Sequence, residues 1–399
     1  MKPIFITAHS AVTACGMGSN SLKNALLLSQ SMLKPARLIT PDFLTYTGEI
    51  ETELPILRSE LSRYHSRNSR MALAALDCEN AHFRAAVNAA VEKYGKHRVG
   101  TIIGTSTSGI YETERAYQGC LKTGTQPSAF NFQHQHAWVA TGDFLKRELG
   151  LTGPCYAIST ACSSSGKAIA AGQRLIESGI CDAVVVGGVD SICHLTLHGF
   201  HSLELTAETP CKPLDRDRNG ISLGEGAGLL LLERNQLDQH PALIGFGESS
   251  DAYHMTAPCP DGSGSALAMQ KALTATGLDA DKLDYINLHA TGTRMNDQSE
   301  MQAMATIFND QTACSGTKGI TGHTLGAAGA IEAIIVLLAL ENGFTPGTCN
   351  IQHVDEAFKQ NNIITHTLSK PDMHYVMSNN FGFGGNNVSL IFAKGELHG

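Results

Sequence analysis

The chain has 399 residues, of which 42% are hydrophobic, 17% charged and 6% aromatic, and a chain of this length can bury a core of several layers. Its 40 glycines are about a tenth of the chain, against roughly 7% in average proteins, but with only 13 prolines the composition excludes collagen-like and low-complexity classes. The 29 basic and 37 acidic residues give a net charge of −8, which excludes a generally basic nucleic-acid-binding protein.

Apolar runs rich in β-branched residues alternate with helical patterns from end to end, which is typical of a layered α/β architecture. The runs predict strands at Ile4–Thr7, Val99–Gly104, Ala183–Val189, Gly228–Glu233, Tyr285–Leu288, Tyr375–Asn379 and Val388–Ala393. The periodicity predicts helices at Ser21–Ser29, Arg67–Tyr94, Cys162–Ser178, Ala266–Thr276, Asp297–Phe308 and Ala327–Asn342.

The sequence predicts a soluble, cytoplasmic protein without a membrane span. Residues 1–8 hold too short an apolar stretch for a signal peptide and are predicted to form the first strand. The main apolar run in the C-terminal half, Ala333 to Leu340, is far shorter than the ~20 residues that a membrane span needs. The eleven cysteines form no Cys-x-x-Cys pair and are odd in number, so most are expected to be small buried residues in a reducing compartment.

Two segments share a pattern in which an extended stretch turns sharply into a helix rich in small residues. Residues 155–160 precede one such helix and residues 319–323 precede the other. A reactive residue, Cys162 or His323, stands near the start of each helix. The pattern predicts a pseudo-duplicated fold whose halves meet at these helix starts, with ordinary buried helices of an α/β protein as the alternative.

Cys162 is the first candidate for chemistry. At a strand-to-helix turn its thiol lies beside unpaired backbone N–H groups and the positive end of the helix dipole, which both favour the nucleophilic thiolate. The same N–H groups can stabilise the oxyanion of a tetrahedral intermediate. A buried structural cysteine is the alternative for any one of eleven cysteines.

A histidine, a lysine and a glycine-rich loop complete the candidate chemistry. His289 directly follows an apolar strand, and strand ends are where α/β proteins place catalytic groups. Lys318 and His323 lie in a glycine-rich segment that leads into a helix. A phosphate-binding loop is a weak alternative for this segment, because such a loop has its lysine after the second glycine with Ser or Thr beside it, and this segment does not. The glycines of residues 379–387 let backbone N–H groups approach a reacting centre. Taken singly, the histidine could be a core residue and the loop a plain tight turn.

Four motifs occur in a fixed order: Thr-Ala-Cys-Ser-Ser-Ser at 160–165, His-Ala-Thr-Gly-Thr at 289–293, Lys-x-x-Thr-Gly-His-x-x-Gly-Ala-Ala-Gly at 318–329 and Asn-x-Phe-Gly-Phe-Gly-Gly-Asn-Asn at 379–387. Together they resemble the β-ketoacyl-acyl-carrier-protein synthases of the elongating type, within the thiolase superfamily, over nearly the whole chain. The resemblance implies an α/β thiolase fold with a five-layered αβαβα core. It implies two pseudo-duplicated halves, at residues 1–245 and 246–399, and a dimer.

By the same resemblance, Cys162 matches the acyl-accepting nucleophile, and His289 and His323 match the pair that promotes malonyl decarboxylation and stabilises the enolate. Lys318 matches the lysine that organises charge in the site, and Glu300 the acid that pairs near His289. The backbone N–H groups of Cys162 and Phe383 match the oxyanion hole, and Phe200 matches an aromatic residue beside the nucleophile. Thr291 and Thr293 match substrate-binding residues. Glu332 matches a buried structural acid, and the alternative is that it is a solvent-facing residue of its helix.

The implied reaction is a decarboxylative Claisen condensation of a Cys162-bound acyl group with malonyl-acyl carrier protein. The substrates are carried on the phosphopantetheine arm of the carrier, and no cofactor or metal bound by the enzyme is expected. Loss of CO₂ generates the carbanion without a strong base, and neutral imidazoles can donate hydrogen bonds to the enolate oxygen.

Three other functions are weighed against this one. A biosynthetic thiolase uses a second cysteine near its C-terminus, and after Cys349 the sequence has none. A starter-unit synthase has an asparagine where His323 stands. A non-catalytic chain-length subunit usually lacks the nucleophilic cysteine, so Cys162 argues against it. A homodimer and a heterodimer with such a ketosynthase-like subunit both stay open.

Docking of an acidic carrier protein on a chain of net charge −8 requires a local basic patch. Arg63, Arg67 and Arg70 are predicted to supply it at a helix start, with a solvated surface helix as the alternative.

The acyl chain is predicted from two polar segments. Tyr111 lies in a segment that resembles the acyl-pocket wall, and His134 and His136 lie in one that resembles the stretch reaching into a neighbouring subunit's pocket. Their polarity favours an unsaturated, aromatic or polyketide-like chain from a specialised pathway, such as aryl polyene pigment synthesis, with fatty-acid synthesis as the alternative. The two histidines are also a nominal metal pair, but two ligands without a third are weak evidence.

Overall fold

Helices and strands alternate along the chain, of which the computed structural model describes residues 2–234 and 240–395. The α-helices are α1 Ser19–Leu27, α2 Arg67–Tyr94, α3 Ile110–Thr123, α4 Ala140–Glu148, α5 Ser164–Glu177, α6 His194–Ser202, α7 Ser263–Thr276, α8 Arg294–Ile307, α9 Lys318–Thr321 and α10 Ala328–Asn342. The strands are β1 Ile4–Thr13, β2 Gly16–Met17, β3 Lys34–Pro35, β4 Tyr46–Gly48, β5 Val99–Gly104, β6 Cys155–Ile158, β7 Ala183–Asp190, β8 Leu223–Gly224, β9 Gly226–Glu233, β10 Ala242–Ser250, β11 Tyr285–Asn287, β12 Ala313–Ser315, β13 Phe344–Thr345, β14 Asn362–Ile363, β15 Leu368–Ser369, β16 Tyr375–Gly382 and β17 Asn386–Ala393.

One mixed sheet runs through the molecule, with its strands in the order β14-β12-β11-β16-β17-β10-β1-β9-β7-β5-β6. The neighbours β6, β5 and β7 are parallel in its N-terminal part, and β14, β12, β11 and β16 are parallel in its C-terminal part. The two parts meet where β1 pairs antiparallel with β10, Ile4 opposite Leu243 and Phe5 opposite Ala242. Parallel strands require crossover helices, and these form the layers on both faces of the sheet.

The apolar side chains sort into clusters that define five layers. The central cluster holds α5 and α10, which contact each other and pack between strands of both parts of the sheet. On one outer side α2 and α4 cover β1, β5, β7 and β9, and on the other α7 covers β10 and β17 and packs against α8. This order of layers agrees with the predicted αβαβα core, and it brings the starts of α5 and α10 to the centre of the molecule.

Helix α10 is apolar on nearly all sides, as a helix enclosed by other elements should be. Every residue from Ala328 to Leu340 is buried. Together with the turn before it, the segment Leu325–Asn342 is long and apolar enough to cross a membrane by length and composition alone, but 89% of it is buried inside the protein. The apolar segment is therefore longer than the predicted run, and its position between the two parts of the sheet accounts for its composition.

Most ends of the predicted elements lie within a few residues of the observed ends, and α2 agrees at both ends. The exception is β1, which runs to Thr13 rather than Thr7. Inside α2, residues Cys78 to Ala81 leave helical geometry, a kink that the periodicity did not indicate. Helices α3, α4, α6 and α9 and strand β10 were not predicted, nor were the strands of two or three residues other than β11. None of the residues of α3 is buried in the described structure, and two glycines interrupt the apolar run of β10.

The crossing of α5 and α10 leads to a first prediction. A Cβ atom at Gly329 would lie 2.5 Å from the backbone nitrogen of Gly166. Gly329→Ala should therefore force the two helices apart and lower the free energy of unfolding by about 1–3 kcal/mol, measured by chemical denaturation. Gly199→Ala in α6 is the matched control, because a Cβ there meets nothing within 4 Å, and it should be neutral or slightly stabilising. Equal stability of Gly329→Ala and wild type would contradict the close crossing.

Candidate active site

Cys162 lies in the turn between β6 and α5, two residues before the helix begins at Ser164. The residue before it, Ala161, has a left-handed φ of 52°, a conformation that costs about 1–3 kcal/mol for a residue with a Cβ. Ser164 holds the turn, because its backbone N–H donates to the Ala161 carbonyl at 3.1 Å and its Oγ accepts the Thr160 N–H at 2.9 Å. The cysteine is turned inward, with 6% of its surface exposed.

Hydrogen bonds fix the His323 ring in one orientation and one tautomer. Its backbone N–H donates to the Ser222 carbonyl, and its carbonyl accepts the Gly224 N–H, both at 2.8 Å. The Leu325 N–H donates to ring atom Nδ1 at 3.2 Å. A ring nitrogen that accepts carries no proton, so the neutral ring holds its proton on Nε2, which lies 3.1 Å from Cys162 Sγ.

His289 follows β11, and Glu300 of α8 holds its backbone rather than its ring. The buried carboxylate accepts the N–H of His289 at 2.8 Å and the N–H of Ala290 at 2.7 Å. Ala290 has a φ of 27°, so Glu300 supports a strained turn directly after the histidine. Burial raises the pKa of Glu300 to about 7 against the opposing effect of these two N–H groups. The expected pairing near His289 thus takes the form of backbone hydrogen bonds.

Lys318 is a fully buried cation at the start of α9. Its ammonium group contacts the Glu332 carboxylate and the His289 carbonyl, and it lies 3.2 Å from His289 Nδ1. Asn380 donates to the other Glu332 oxygen, and burial raises the pKa of Glu332 to about 7. An ammonium group only donates hydrogen bonds, so His289 Nδ1 is the acceptor and the neutral ring carries its proton on Nε2. Glu332 is buried, as the resemblance implied.

The two imidazoles are neutral donors that face the same space. Their rings lie 5.3 Å apart at 86°. Burial, and then the positive charge of Lys318, lower the pKa of both rings well below the usual range. Because each Nδ1 is already an acceptor, each Nε2–H is free to donate to a negative oxygen placed between the rings and the thiol.

Burial raises the pKa of the Cys162 thiol to about 11, although Lys318 and the backbone N–H of Phe383 act to lower it. Burial therefore opposes the thiolate that the helix start was expected to favour. The reason is that removing the thiol from water disfavours its charged form by more than the lysine and the N–H group recover. The site holds a thiol beside neutral imidazoles.

A cavity opens onto the thiol, and it is lined by Cys162, both imidazoles, Phe200, Phe383 and the hydroxyl-bearing Thr291 and Thr293. The Phe200 and Phe383 rings are 5.4 Å apart. A Cβ at Gly382 would lie 2.9 Å from the Thr160 carbonyl oxygen, so glycine there lets the loop bring the Phe383 N–H to the thiol. The structure thus brings together these predicted residues, with Lys318, Glu300 and Glu332 directly behind them.

By distance alone, a metal ion could be considered at this site. The ligand atoms of Cys162, His289 and His323 all lie within 4.8 Å of one another, the one such group in the described part of the chain. A metal-bound histidine usually donates its other ring N–H to an acceptor, whereas here Lys318 and the Leu325 N–H both donate toward Nδ1. The nearby ammonium charge also opposes a cation. The hydrogen bonds therefore favour anion stabilisation over metal binding.

Tyr111, His134 and His136 lie outside this cavity. Tyr111 packs against an apolar cluster that Phe200 also contacts. His134 is held by the Asn131 side chain at 2.9 Å, and His136 by the Thr113 hydroxyl at 2.6 Å. Burial lowers the pKa of both histidines.

Two of the three arginines of the predicted docking patch have partners inside the fold. Arg67 forms a nearly buried, two-pronged ion pair with Glu225, whose carboxylate also accepts the Ile50 N–H. Arg70 donates to the carbonyls of Leu54 and Pro55. Both side chains are used inside the fold because the start of α2 packs against neighbouring loops. Arg63 is exposed and lies over the Tyr64 ring.

Sequence reasoning missed the side chains and backbone groups that orient the imidazoles. Asn380 belongs to the recognised loop motif, but its side chain donates a hydrogen bond to Glu332 rather than shaping a turn. The Leu325 N–H, which sets the tautomer of His323, belongs to a residue with a φ of 55°. The Asn-Asn pair before the glycine-rich loop could have indicated the role of Asn380. The role of the Leu325 N–H could not be found in this way, because a backbone N–H group leaves no signal in the sequence.

Known proteins share this architecture. The model of the beta-ketoacyl synthase N-terminal domain matches residues 1–237, and that of the C-terminal domain matches residues 241–352. The mitochondrial 3-oxoacyl-[acyl-carrier-protein] synthase of Arabidopsis thaliana is 37% identical over 323 residues, 76% of this chain and 70% of its own length. The 3-oxoacyl-[acyl-carrier-protein] synthase 2 of Vibrio cholerae is 36% identical over 315 residues, 74% of this chain and 76% of its own length.

Among solved structures, a chain of the complex of the ketosynthase ApeO with its chain length factor ApeC, from Xenorhabdus doucetiae, superposes with a TM-score of 0.92. It is 38% identical, and the match covers 98% of each chain. These matches confirm the predicted fold class and the resemblance on which the expectations above were based.

The raised pKa of Cys162 leads to a prediction about its reactivity. The rate of iodoacetamide alkylation of Cys162 should keep rising with pH to about 11, because the thiolate is the reacting form. Lys318→Met should lower the rate at pH 8, because loss of the positive charge raises the thiol pKa further. Mass spectrometry of the Cys162 peptide measures the rate, with Cys162→Ser as control. A plateau near pH 7 would contradict the resting thiol.

The ion pair of Arg67 leads to a prediction about stability. Arg67→Met leaves the Glu225 carboxylate buried and without its partner cation, and it should lower the free energy of unfolding by about 3–5 kcal/mol. Arg63→Gln, at an exposed position, should change it by less than about 0.5 kcal/mol. Wild-type stability of Arg67→Met combined with weaker carrier-protein affinity would instead restore the docking patch.

Proposed function

The chain belongs to the β-ketoacyl synthase family of condensing enzymes, and we propose that it joins a Cys162-bound acyl group to malonyl-acyl carrier protein by decarboxylative Claisen condensation, giving β-ketoacyl-acyl carrier protein. The observation that carries the proposal is the pair of neutral imidazoles whose Nδ1 atoms accept hydrogen bonds, which leaves both Nε2–H groups directed toward the space beside the thiol. That arrangement suits an enolate and not a proton-abstracting base.

In the first step the Cys162 sulfur attacks the thioester of an acyl-carrier substrate. The backbone N–H groups of Cys162 and Phe383 are proposed to hold the oxyanion, which is supported by the position of the Phe383 N–H at the thiol. The S–C bond to the carrier breaks, and the thiol proton passes to the departing pantetheine sulfur. Charge therefore appears on the oxyanion and on sulfur during this step.

In the second step malonyl-acyl carrier protein loses CO₂, and the electron pair of the broken C–C bond forms an enolate. The Nε2–H groups of His289 and His323 donate to its oxygen, and neutral donors lose no proton when they do so. Lys318 and Glu300 are proposed as positioning residues, because Lys318 contacts the far side of His289 and Glu300 holds its backbone. Thr291 and Thr293 line the cavity and are proposed to hold the incoming arm.

In the third step the enolate carbon attacks the acyl-cysteine carbonyl, and the new C–C bond displaces the Cys162 thiolate. The high pKa of the buried thiol drives proton uptake from solvent, which restores the resting site. The proposed sequence uses only this chain's own groups and the carrier-bound substrates.

A dimer is proposed, with either a second copy or a related ketosynthase-like subunit. Strand β6 ends the described sheet, its Tyr156 is 37% exposed, and Trp138, just before α4, is 49% exposed. The structure from Xenorhabdus pairs a ketosynthase with a chain length factor, which favours the heterodimer. In either assembly, His134 and His136 are proposed to act near the neighbouring subunit and Arg63 near the carrier protein.

The substrate is proposed to be an unsaturated, aromatic or polyketide-like chain, and the apolar cluster that Tyr111 and Phe200 both contact is proposed as the region that selects it. The chain is proposed to consist of two halves, residues 1–245 and 246–399, which separate the nucleophile from the two histidines. A cytoplasmic location is proposed with it. A thiolase-type acyl transfer is the weaker alternative.

The test is elongation of defined acyl-carrier substrates by purified enzyme, alone and with candidate partner subunits. Cys162→Ala should lose elongation by at least about 10³-fold while malonyl decarboxylation persists, because the nucleophile is not needed to stabilise the enolate. His289→Ala should lose decarboxylation but still accept an acyl group. Condensation that survives in Cys162→Ala would overturn the mechanism.

A further inference from the structure

Asp190, the last residue of β7, is a fully buried carboxylate that the mechanism does not use. Its partners are neutral donors. Oδ1 accepts the hydroxyls of Thr105 and Thr107 at 2.5 and 2.6 Å and the Thr107 N–H at 2.9 Å. Oδ2 accepts the N–H and hydroxyl of Ser106 at 2.9 and 2.7 Å and the Gly326 N–H at 2.6 Å. Short hydrogen bonds on both oxygens fix this side chain firmly.

The Gly326 bond connects the two halves of the chain. Residues 105–107 follow β5 in the half that carries Cys162, whereas Gly326 lies three residues after His323 in the other half. A Cβ at Gly326 would lie 2.6 Å from Asp190 Oδ2, so the glycine permits this contact. Gly188 of β7 is equally close to the turn, because a Cβ there would lie 2.8 Å from the Ala327 Cα.

The residue between His323 and Gly326 that matters is Leu325. Its φ of 55° is unfavourable for a side chain with a Cβ, so the turn does not adopt this shape without support. In this conformation the Leu325 N–H points at His323 Nδ1 at 3.2 Å, while the next N–H, of Gly326, points at Asp190. Asp190 therefore holds the peptide that directly follows the strained residue.

We infer that Asp190 is a positioning residue that sets the tautomer of His323, because its hold on Gly326 keeps the Leu325 N–H on Nδ1 and the ring proton on Nε2. Its effect on condensation rests on the proposed function, but its effect on the tautomer does not. Without this hold, Leu325 relaxes toward ordinary backbone angles, Nδ1 loses its donor, and the ring samples the form with its proton on Nδ1. In that form Nε2 repels an enolate oxygen instead of binding it.

The test uses Asp190→Asn in the full chain, whose amide cannot accept on both atoms. Nitrogen NMR of ¹⁵N-histidine-labelled protein, without substrate, reads the tautomer of His323, assigned by the signals lost in His323→Ala. The wild type should show His323 with its proton on Nε2 alone, and Asp190→Asn should show a mixture of both tautomers. In the elongation assay kcat should fall about 10–100-fold with KM changed by less than about threefold.

Asp215→Asn is the matched control. Asp215 is also buried and accepts three backbone N–H groups, those of Asp217, Gln352 and His353, but it makes no contact with the His323 turn. It should lower the unfolding midpoint like Asp190→Asn while leaving the His323 tautomer and kcat unchanged. An unaltered tautomer in folded Asp190→Asn overturns the inference, as does the same tautomer mixture in the control.

Ser106→Ala serves if Asp190→Asn does not fold. It removes one donor to Asp190 Oδ2 and the second acceptor of the Gly326 N–H, at 3.2 Å, and leaves the carboxylate in place. A smaller shift of the tautomer in the same direction is expected, and no shift would count against the inference. A shifted tautomer in a protein without elongation activity would leave the inference standing and reject the proposed function.

Discussion

The Lys318 ammonium group lies in the interior of the protein, where its charge must be matched by acceptors, and its neighbours determine the chemistry of the site. Glu332 supplies the opposing charge, and His289 offers its carbonyl and Nδ1. One cation thus assigns the tautomer of His289, adds to the effect of burial that lowers the pKa of both imidazoles, and acts to lower the pKa of the thiol. The anion-stabilising character of the cavity depends on this buried group.

A second constraint is backbone strain beside each of the reacting side chains. Ala161 precedes Cys162, Ala290 follows His289 and Leu325 lies two residues after His323, and all three have positive φ. Each turn has its own support: the Ser164 N–H and Oγ hold the first, the Glu300 carboxylate the second, and the Asp190 carboxylate the peptide that follows the third. The strain directs each side chain into the cavity, and buried carboxylates support two of the three turns.

The order of the four motifs predicted the family, the layered fold and the residues around the cavity, because reacting groups and close-packed glycines leave recognisable residues. Other features left none. The thiol at Cys162 was expected as a thiolate from its place at a helix start, but the depth of its burial is a tertiary property. Arg67 appeared to belong to a basic surface until its partner, 158 residues away in sequence, was located. Likewise, tautomers are set by backbone N–H groups that every residue but proline possesses.

The central claim is that the resting site holds two neutral imidazoles, each with its proton on Nε2 and directed at the space beside Cys162. Neutron diffraction from a deuterated crystal near pH 7 observes these protons directly. The account predicts deuterium on Nε2 and none on Nδ1 of His289 and His323, with Lys318 carrying three deuterons. Deuterium on Nδ1 of either ring, or on both nitrogens of one ring, would contradict it.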